Sequence, residues 1–188
     1  MTILVDMDDV LETLIEGWVE YLNDHYGTSV TSDDINDWDM TLAFPTLTPE
    51  QVYSAELDDS LWDRVGPKQG AREALEKMIA DGHEIYIVTA TYYQTLKAKM
   101  ENVLFKYFPF ITWDNVIITS NKQMVMGDVL IDDGPHNLVG GTYKKILFDV
   151  NHNRSFDEKS VGAIRAHNWD EVYDIVCKIA NEKELHDV

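Results

Sequence analysis

Short runs dominated by apolar residues recur along the chain and predict its strands. They lie at residues 3–5, 85–89, 116–118, 129–131, 145–148 and 163–165. Brief, nearly continuous apolar runs of this kind are typical of strands that are buried on both faces of a parallel sheet. Segments with helical spacing separate them, and this alternation predicts an α/β fold.

Helices are predicted where apolar residues recur at intervals of three or four. One such stretch covers residues 18–26, which are rich in aromatic and aliphatic side chains. A second helix is predicted to begin at Thr48, which together with Gln51 has the pattern of a capping box. Two further helices are predicted over residues 71–81 and after Asn168.

Acidic residues directly follow two of the predicted strands. Asp6 and Asp8 follow the first run, and Asp132 and Asp133 follow the run at 129–131. Ligands of open α/β sheets bind just outside the carboxyl ends of the strands, and alternation along the chain places Asp6 and Asp8 on one side. Carboxylates this close repel unless a cation neutralises them, and such oxygen ligands suit Mg²⁺.

Two other predicted strands end near different chemical groups. Thr89 closes the run at 85–89, and Lys122 follows the run at 116–118. Carboxylates, a hydroxyl and an ammonium group are what phosphoryl transfer requires as nucleophile, proton donor, metal ligands and stabilisers of charge on phosphate oxygens. Because parallel strands end at one edge of a sheet, we expect these groups to converge.

This ordered set resembles the four motifs of the haloacid dehalogenase-like phosphatase superfamily: Asp-x-Asp, Thr or Ser, Lys and an acidic pair. A closer similarity is to its 5'(3')-deoxyribonucleotidase family. Asp9 departs from the family pattern, since Gly is usual there, and Ala90 follows Thr89 where Ser is common. The stretches that carry the resemblance are 6–11, 122–133, 147–154 and 167–173.

The resemblance implies a Rossmann-like parallel sheet flanked by helices, with a small helical cap inserted after the first strand. The core would comprise residues 1–16 and 68–188, and the cap residues 17–67. The distance between the first acidic strand end and the Thr89 strand is far longer than one crossover helix requires, which also indicates an insertion.

The resemblance also implies a role for each residue that matches a motif. Asp6 would be the nucleophile that forms an aspartyl-phosphate, and Asp8 the proton donor and later the proton acceptor. Thr89, Ala90 and Lys122 would bind the phosphate group. Lys122 would in addition balance the charge on Asp6.

The implied cofactor is Mg²⁺. Its ligands would be Asp6, the backbone carbonyl of Asp8, and Asp133, with Asp132 acting through water. A carbonyl contact from Asp8 would leave its side chain free for proton transfer.

Aromatic residues in the inserted segment are candidates for contact with a nucleotide base. Trp38, Phe44, Tyr53 and Trp62 could stack on it, and stacking of a base on an aromatic ring contributes about 1–3 kcal/mol. The alternative for each is the core of the insertion itself.

Three residues elsewhere receive simpler predictions. His136, just after the second acidic strand end, is a candidate for a peripheral substrate contact. Lys97 and Lys99 lie on a helical segment after Thr89, where a solvated face is the expectation for lysine.

Charge and composition narrow the range of partners. The formal net charge is −19, which excludes nucleic-acid polymers and anionic membranes as partners, although a single small anion can still bind locally. With 188 residues and 45% hydrophobic content, the chain can bury one core and carry a small accessory lobe. The lack of a recognisable signal peptide predicts a cytoplasmic location. The sequence does not decide the oligomeric state, and a homodimer is one option.

The favoured function is a Mg²⁺-dependent phosphomonoesterase acting on (deoxy)ribonucleoside monophosphates. Two alternatives stay open. One is a phosphatase for another small phosphorylated metabolite, such as a sugar phosphate, because the catalytic set does not read the leaving group. The other is a phospho-receiver signalling domain, which also handles an aspartyl-phosphate but would be shorter and lack a cap.

Overall fold

The computed structural model describes residues 1–186, and a parallel sheet of six strands forms its centre. The order across the sheet is β3-β2-β1-β4-β5-β6. The predicted α/β sheet is confirmed, and each predicted strand lies within one residue of the observed one. The strands are β1 (Thr2–Val5), β2 (Glu84–Thr89), β3 (Val116–Ile118), β4 (Val129–Asp132), β5 (Lys144–Phe148) and β6 (Ala163–Ala166).

Alternation along the strands gives the sheet two apolar faces. Ile3 and Val5 of β1 point into the larger core, whereas Leu4 points into a smaller one on the opposite face. The larger core contains the buried side chains of the helices. Strands, short 3₁₀ turns and loops contribute the residues of the smaller core, including Leu138 and Tyr143. Burial on both faces explains why the central strands are continuously apolar.

The helices lie between the strands and inside the long connection from β1 to β2. Helix α4 continues through a π-helical turn, Lys99–Leu104, into α5. The predicted capping box is confirmed, because Gln51 N–H donates to Thr48 Oγ1 at 3.2 Å and Thr48 N–H donates to Gln51 Oε1 at 2.8 Å. The helices are α1 (Leu14–Tyr26), α2 (Pro49–Tyr53), α3 (Ala71–Ala80), α4 (Leu96–Ala98), α5 (Phe105–Tyr107) and α6 (Trp169–His186).

The connection between β1 and β2 leaves and rejoins the sheet at neighbouring points. Thr13 N–H donates to the Gly66 carbonyl at 2.8 Å, and Glu12 forms an isolated antiparallel bridge with Pro67. Between these points the structure has α1, α2 and short 3₁₀ turns. The buried Trp18 of α1 donates its indole N–H to the Val52 carbonyl at 2.9 Å, which ties α1 to α2.

The position of β1 in the sheet determines where a ligand can bind. It pairs with β2 on one side and with β4 on the other, so the direction in which the chain adds strands reverses at β1. Such a reversal opens a crevice at the carboxyl edge of the sheet. In the part of the chain that the structure describes, no helix is long and apolar enough to cross a membrane.

A close approach of β1 to the loop before β4 yields a test of this packing. A Cβ added at Gly127 would lie 2.7 Å from Leu4 Cγ, and Leu4 is itself buried. We expect Gly127→Ala to lower the free energy of unfolding by about 1–3 kcal/mol, because neighbouring side chains must shift. Gly66→Ala is the matched control, since its Cβ would meet only Thr13 Oγ1 at 3.7 Å. Urea unfolding of both variants gives the comparison, and equal stabilities would contradict the packing.

Candidate active site

The residues predicted from the strand ends converge at the carboxyl edge of the sheet. Asp6 continues the β1 pairing, because its N–H donates to the Ile131 carbonyl of β4 at 2.9 Å. Thr89 is the last residue of β2, and Asp132 is the last of β4. Lys122 opens a 3₁₀ turn after β3. Four separate strands therefore deliver side chains to one place.

Lys122 is the centre of this arrangement. Its Nζ lies 2.6 Å from Asp6 Oδ1 and 2.6 Å from Asp132 Oδ2, and the side chain is 2% exposed. Burial opposes the charged ammonium, but the carboxylates of Asp6 and Asp132 outweigh it and raise the pKa of Lys122 above its usual value. Lys122 therefore stays a cation that joins β1 and β4.

The carboxylates around Lys122 carry more negative charge than its one ammonium group can neutralise. Asp6, Asp132 and Asp133 each offer an oxygen, and these oxygens lie within 4.8 Å of one another. Burial, and next the Asp132 carboxylate, raise the pKa of Asp133 to about 8. Burial also raises the pKa of Asp6, and Lys122 offsets this only in part. A buried group of hard oxygen ligands with excess negative charge fits a metal ion.

The two acids at the end of β4 have different surroundings. Asp132 Oδ1 accepts from Gly134 N–H at 2.8 Å and from Asn137 Nδ2 at 3.0 Å, while its Oδ2 faces Lys122. Asp133 Oδ2 instead lies 2.9 Å from His152 Nε2. Because protein donors occupy both oxygens of Asp132, Asp133 is the freer of the two to ligate a metal directly.

The structure contradicts the prediction from the sequence that Lys99 is solvated. Its side chain is fully buried, whereas Lys97 on the same helical segment is 82% exposed, as predicted. Lys99 Nζ lies 2.6 Å and 2.7 Å from the two Asp8 carboxylate oxygens and 3.0 Å from Thr89 Oγ1. Prediction failed because lysine is usually solvated, yet Lys99 shares a helical face with Thr95 and Val103, which are both buried.

Two further acids near Asp8 were not identified from the sequence. Glu12 is fully buried, and neither of its carboxylate oxygens has a hydrogen-bond partner among the described residues. Burial, and next the Asp8 carboxylate, raise the pKa of Glu12 well above its usual value. Burial, and next Asp8, raise the pKa of Glu56 in the inserted segment to about 7. Apart from its acidic residue type, nothing in the sequence indicates that Glu12 lies in the site.

Asp9 has a left-handed backbone conformation, which favours glycine. Its φ is +54°, the only positive value for a non-glycine residue in the described chain. The carboxylate accepts from Ile15 N–H at 3.2 Å and lies 3.7 Å from Lys68 Nζ. Burial raises the pKa of Asp9 to about 7. The left-handed turn brings the chain from β1 toward α1.

A pocket of about 280 Å³ opens between this site and the inserted segment. Trp38, 55% exposed, stands at its wall and packs edge-on against His136 and His152, with ring centroids 4.9 Å apart in each pair. The pocket also contains Asp6, Asp8, Ala90, Lys122 and Asp133, together with Glu56 and Tyr53 of the inserted segment.

Two of the predicted aromatic contacts lie elsewhere. Phe44 is 1% exposed and Trp62 is 2% exposed, and both belong to the larger apolar core. Neither lines the pocket. The Trp62 ring instead lies 5.1 Å from Lys99 Nζ. Of the four aromatics predicted to meet a base, the structure brings Trp38 and Tyr53 to the pocket.

Comparison with known proteins now defines the family. The model of a family described as 5' nucleotidase, deoxy (pyrimidine), cytosolic type C protein matches residues 1–183. The chain belongs to this family. The similarity to deoxyribonucleotidases, inferred above from the stretches 6–11, 122–133, 147–154 and 167–173, is confirmed.

Relatives of this nucleotidase family align over most of the chain. The 5'(3')-deoxyribonucleotidase of Bacillus subtilis (strain 168) is 37% identical over 172 residues, which cover 90% of this chain and 95% of that protein. The 5'(3')-deoxyribonucleotidase of Clostridium acetobutylicum is 34% identical over 168 residues, covering 89% and 90%.

Solved structures share the fold of this nucleotidase family. A haloacid dehalogenase family hydrolase from Deinococcus radiodurans R1, with bound phosphate and sodium, superposes with a TM-score of 0.64 at 15% identity and covers 95% of this chain and 96% of that one. A predicted phosphatase from Clostridium acetobutylicum gives a TM-score of 0.62 at 15% identity, with coverage of 94% and 98%. The first of these is named as a haloacid dehalogenase family protein, and the similarity shows that this chain has the haloacid dehalogenase-like fold.

The backbone at Asp9 can be tested by comparing two truncations of its side chain. Asp9→Ala and Asp9→Gly both remove the carboxylate, so their difference isolates the cost of a Cβ at φ +54°. We expect the Ala variant to be less stable than the Gly variant by about 1 kcal/mol. Urea unfolding measures both, and a more stable Ala variant would contradict the left-handed conformation.

The acidic cluster predicts how stability depends on pH without metal. The folded-state pKa of Asp133 is about 8, above its unfolded value of about 3.9, so the folded chain binds more protons between these values. Its contribution to the free energy of unfolding is therefore fully present below about pH 4 and is lost as the pH rises through about 8.

Thermal unfolding in EDTA from pH 5 to pH 9 measures this contribution as the difference between the wild type and Asp133→Asn. We expect the wild type to lose more stability than the variant as the pH rises. Adding Mg²⁺ at pH 8 should stabilise the wild type and have little effect on the variant, since a ligand stabilises only the state that binds it. Parallel pH profiles for the two proteins would exclude the predicted role of Asp133.

Proposed function

We propose that the chain is a Mg²⁺-dependent phosphomonoesterase that dephosphorylates deoxyribonucleoside monophosphates, as a 5'(3')-deoxyribonucleotidase. Membership of the family and the names of its relatives support this substrate class. The observation that carries the chemistry is Asp6, held by the buried Lys122 at the floor of an open pocket. A carboxylate placed in this way can attack phosphorus and split hydrolysis into two easier steps.

In the first step, an Asp6 oxygen forms a bond to phosphorus as the bond from phosphorus to the leaving oxygen breaks. The leaving oxygen takes that electron pair and a proton from the protonated form of Asp8. In the second step, water attacks the phosphorus of the aspartyl-phosphate, and Asp8 accepts the proton from water. Inorganic phosphate leaves, and the Asp6 carboxylate is regenerated.

The remaining residues stabilise the charge of the transferred group. Lys122 neutralises charge on Asp6 and on a phosphate oxygen, and the backbone of Ala90, which lines the pocket, provides a hydrogen bond. Thr89, predicted from the sequence to bind phosphate, is fully buried and outside the pocket lining, and its hydroxyl accepts from Lys99 Nζ at 3.0 Å, so it is not assigned a phosphate contact. Mg²⁺, when bound, would neutralise and orient the phosphate group. Its ligands would be Asp6, Asp133 and the Asp8 carbonyl, with Asp132 acting through water.

The inserted segment, residues 17–67, is proposed to act as the cap that recognises the nucleoside. The adjacency of Thr13 and Gly66 supports this assignment, because a segment whose ends meet can fold over the sheet edge from which it leaves. Trp38, which lines the pocket, would stack on a base.

Phosphate release from a substrate panel tests the proposal. The panel contains 5'- and 3'-(deoxy)nucleoside monophosphates and sugar phosphates, each assayed with Mg²⁺ and with EDTA. We expect turnover of deoxynucleotides with Mg²⁺ only, and background rates for Asp6→Asn, which lacks the nucleophilic carboxylate. Release confined to sugar phosphates would change the substrate class, and no release from any substrate would end the catalytic proposal.

Trp38→Ala tests the cap. We expect it to raise KM for nucleotides by about tenfold, the effect of losing 1–3 kcal/mol of stacking, with little effect on any sugar phosphate that is turned over. Trp113→Ala is a matched control because this tryptophan is equally exposed, at 54%, and does not line the pocket. An unchanged KM for nucleotides would exclude stacking on Trp38.

A further inference from the structure

We propose that Lys99 is a positioning residue for Asp8 and holds its carboxylate in the orientation that protonates the leaving oxygen. The inference rests on the proposed function, in which Asp8 supplies that proton. It adds a residue outside the four motifs to the catalytic arrangement.

The contacts of Lys99 are all with protein groups, and the shortest are with Asp8. Its Nζ lies 2.6 Å from Asp8 Oδ1 and donates to Asp8 Oδ2 at 2.7 Å, to Thr89 Oγ1 at 3.0 Å and to the Ala90 carbonyl at 3.3 Å. An ammonium group has three N–H donors, so protein acceptors account for all of them. Lys99 is fully buried and does not line the pocket, whereas the Asp8 side chain is 28% exposed and does.

The helix and the inserted segment both fix Lys99. Its N–H donates to the Thr95 carbonyl at 2.9 Å, and the π-helical turn begins at Lys99 itself. The Trp62 ring covers the ammonium at 5.1 Å, and Thr95 Oγ1 donates to the Glu56 carbonyl at 2.9 Å. π-helical turns occur frequently at functional sites, and this one brings a charged group into an otherwise apolar helix face.

A fixed orientation matters most for proton donation. A general acid must lie within hydrogen-bond distance of the leaving oxygen as the bond to phosphorus breaks. Without Lys99, both oxygens of the Asp8 carboxyl would lose this partner and the carboxyl group could rotate. Attack by Asp6 does not need this orientation, so loss of Lys99 should affect reactions that require a protonated leaving group.

Two substrates that differ in one atom separate an effect on proton donation by Asp8 from an effect on attack by Asp6. The first is the deoxynucleoside 5'-monophosphate with the highest turnover in the panel, and the second is its analogue with sulfur in place of the bridging 5' oxygen. An alkoxide leaving group needs a proton, whereas a thiolate can leave without one. Asp8→Asn defines the behaviour of an enzyme without the acid.

We expect Lys99→Met to lower kcat for the nucleotide by about 100-fold, the lower end of general acid catalysis, and to change kcat for the sulfur analogue by less than about fivefold. Asp8→Asn should show the same pattern. Lys97→Met, on the exposed face of the same helix, should match the wild type on both substrates.

The outcomes distinguish the two proposals. Equal losses on both substrates in Lys99→Met, with Asp8→Asn still selective, would overturn the role of Lys99. Equal losses in Asp8→Asn would instead remove Asp8 as the acid, and no turnover by the wild type would reject the proposed function. If Lys99→Met does not fold because Glu12 loses a nearby cation, Lys99→Met with Glu12→Gln is measured against Glu12→Gln alone.

Discussion

The ion pairs of Lys122 are the interaction on which the site depends. One buried ammonium lies 2.6 Å from a carboxylate on each of two adjacent strands, Asp6 after β1 and Asp132 on β4. Burying any of these charges alone would cost several kcal/mol, so each needs the others. The parallel pairing of β1 with β4 provides the register that brings the two carboxylates within reach of one cation. The balance of charges in the site therefore depends on the order of the strands in the sheet.

Two buried lysines divide the site into two halves. Lys122 contacts Asp6, and Lys99 contacts Asp8, so each of these two acids after β1 has its own ammonium. Carboxylates still exceed ammonium groups, and the pKa of Asp133 rises to about 8 as a consequence of burial and its neighbour Asp132. That excess gives a cation a place to bind, even though the substrate is itself an anion.

In the proposed function, catalysis and recognition come from different parts of the chain. The sheet edge would supply the groups that act on phosphate, and the inserted segment contributes Trp38, Tyr53 and Glu56 to the lining of the pocket. The inserted segment shares one continuous apolar core with the sheet, through residues such as Trp62 and Val52. Its aromatics therefore serve mainly packing, and few of them are free to meet a ligand.

The sequence alone determined where the strands lie and which functional groups follow them. Buried parallel strands are continuously apolar, and ligands bind at their carboxyl ends. The sequence therefore predicted the convergence of Asp6, Thr89, Lys122 and Asp133. Only the tertiary structure decided which polar residues are buried. Lys99 appeared solvated by residue type, yet packing against Asp8 encloses it fully. Such contacts join residues that are distant in sequence, so the local spacing of apolar residues does not predict them.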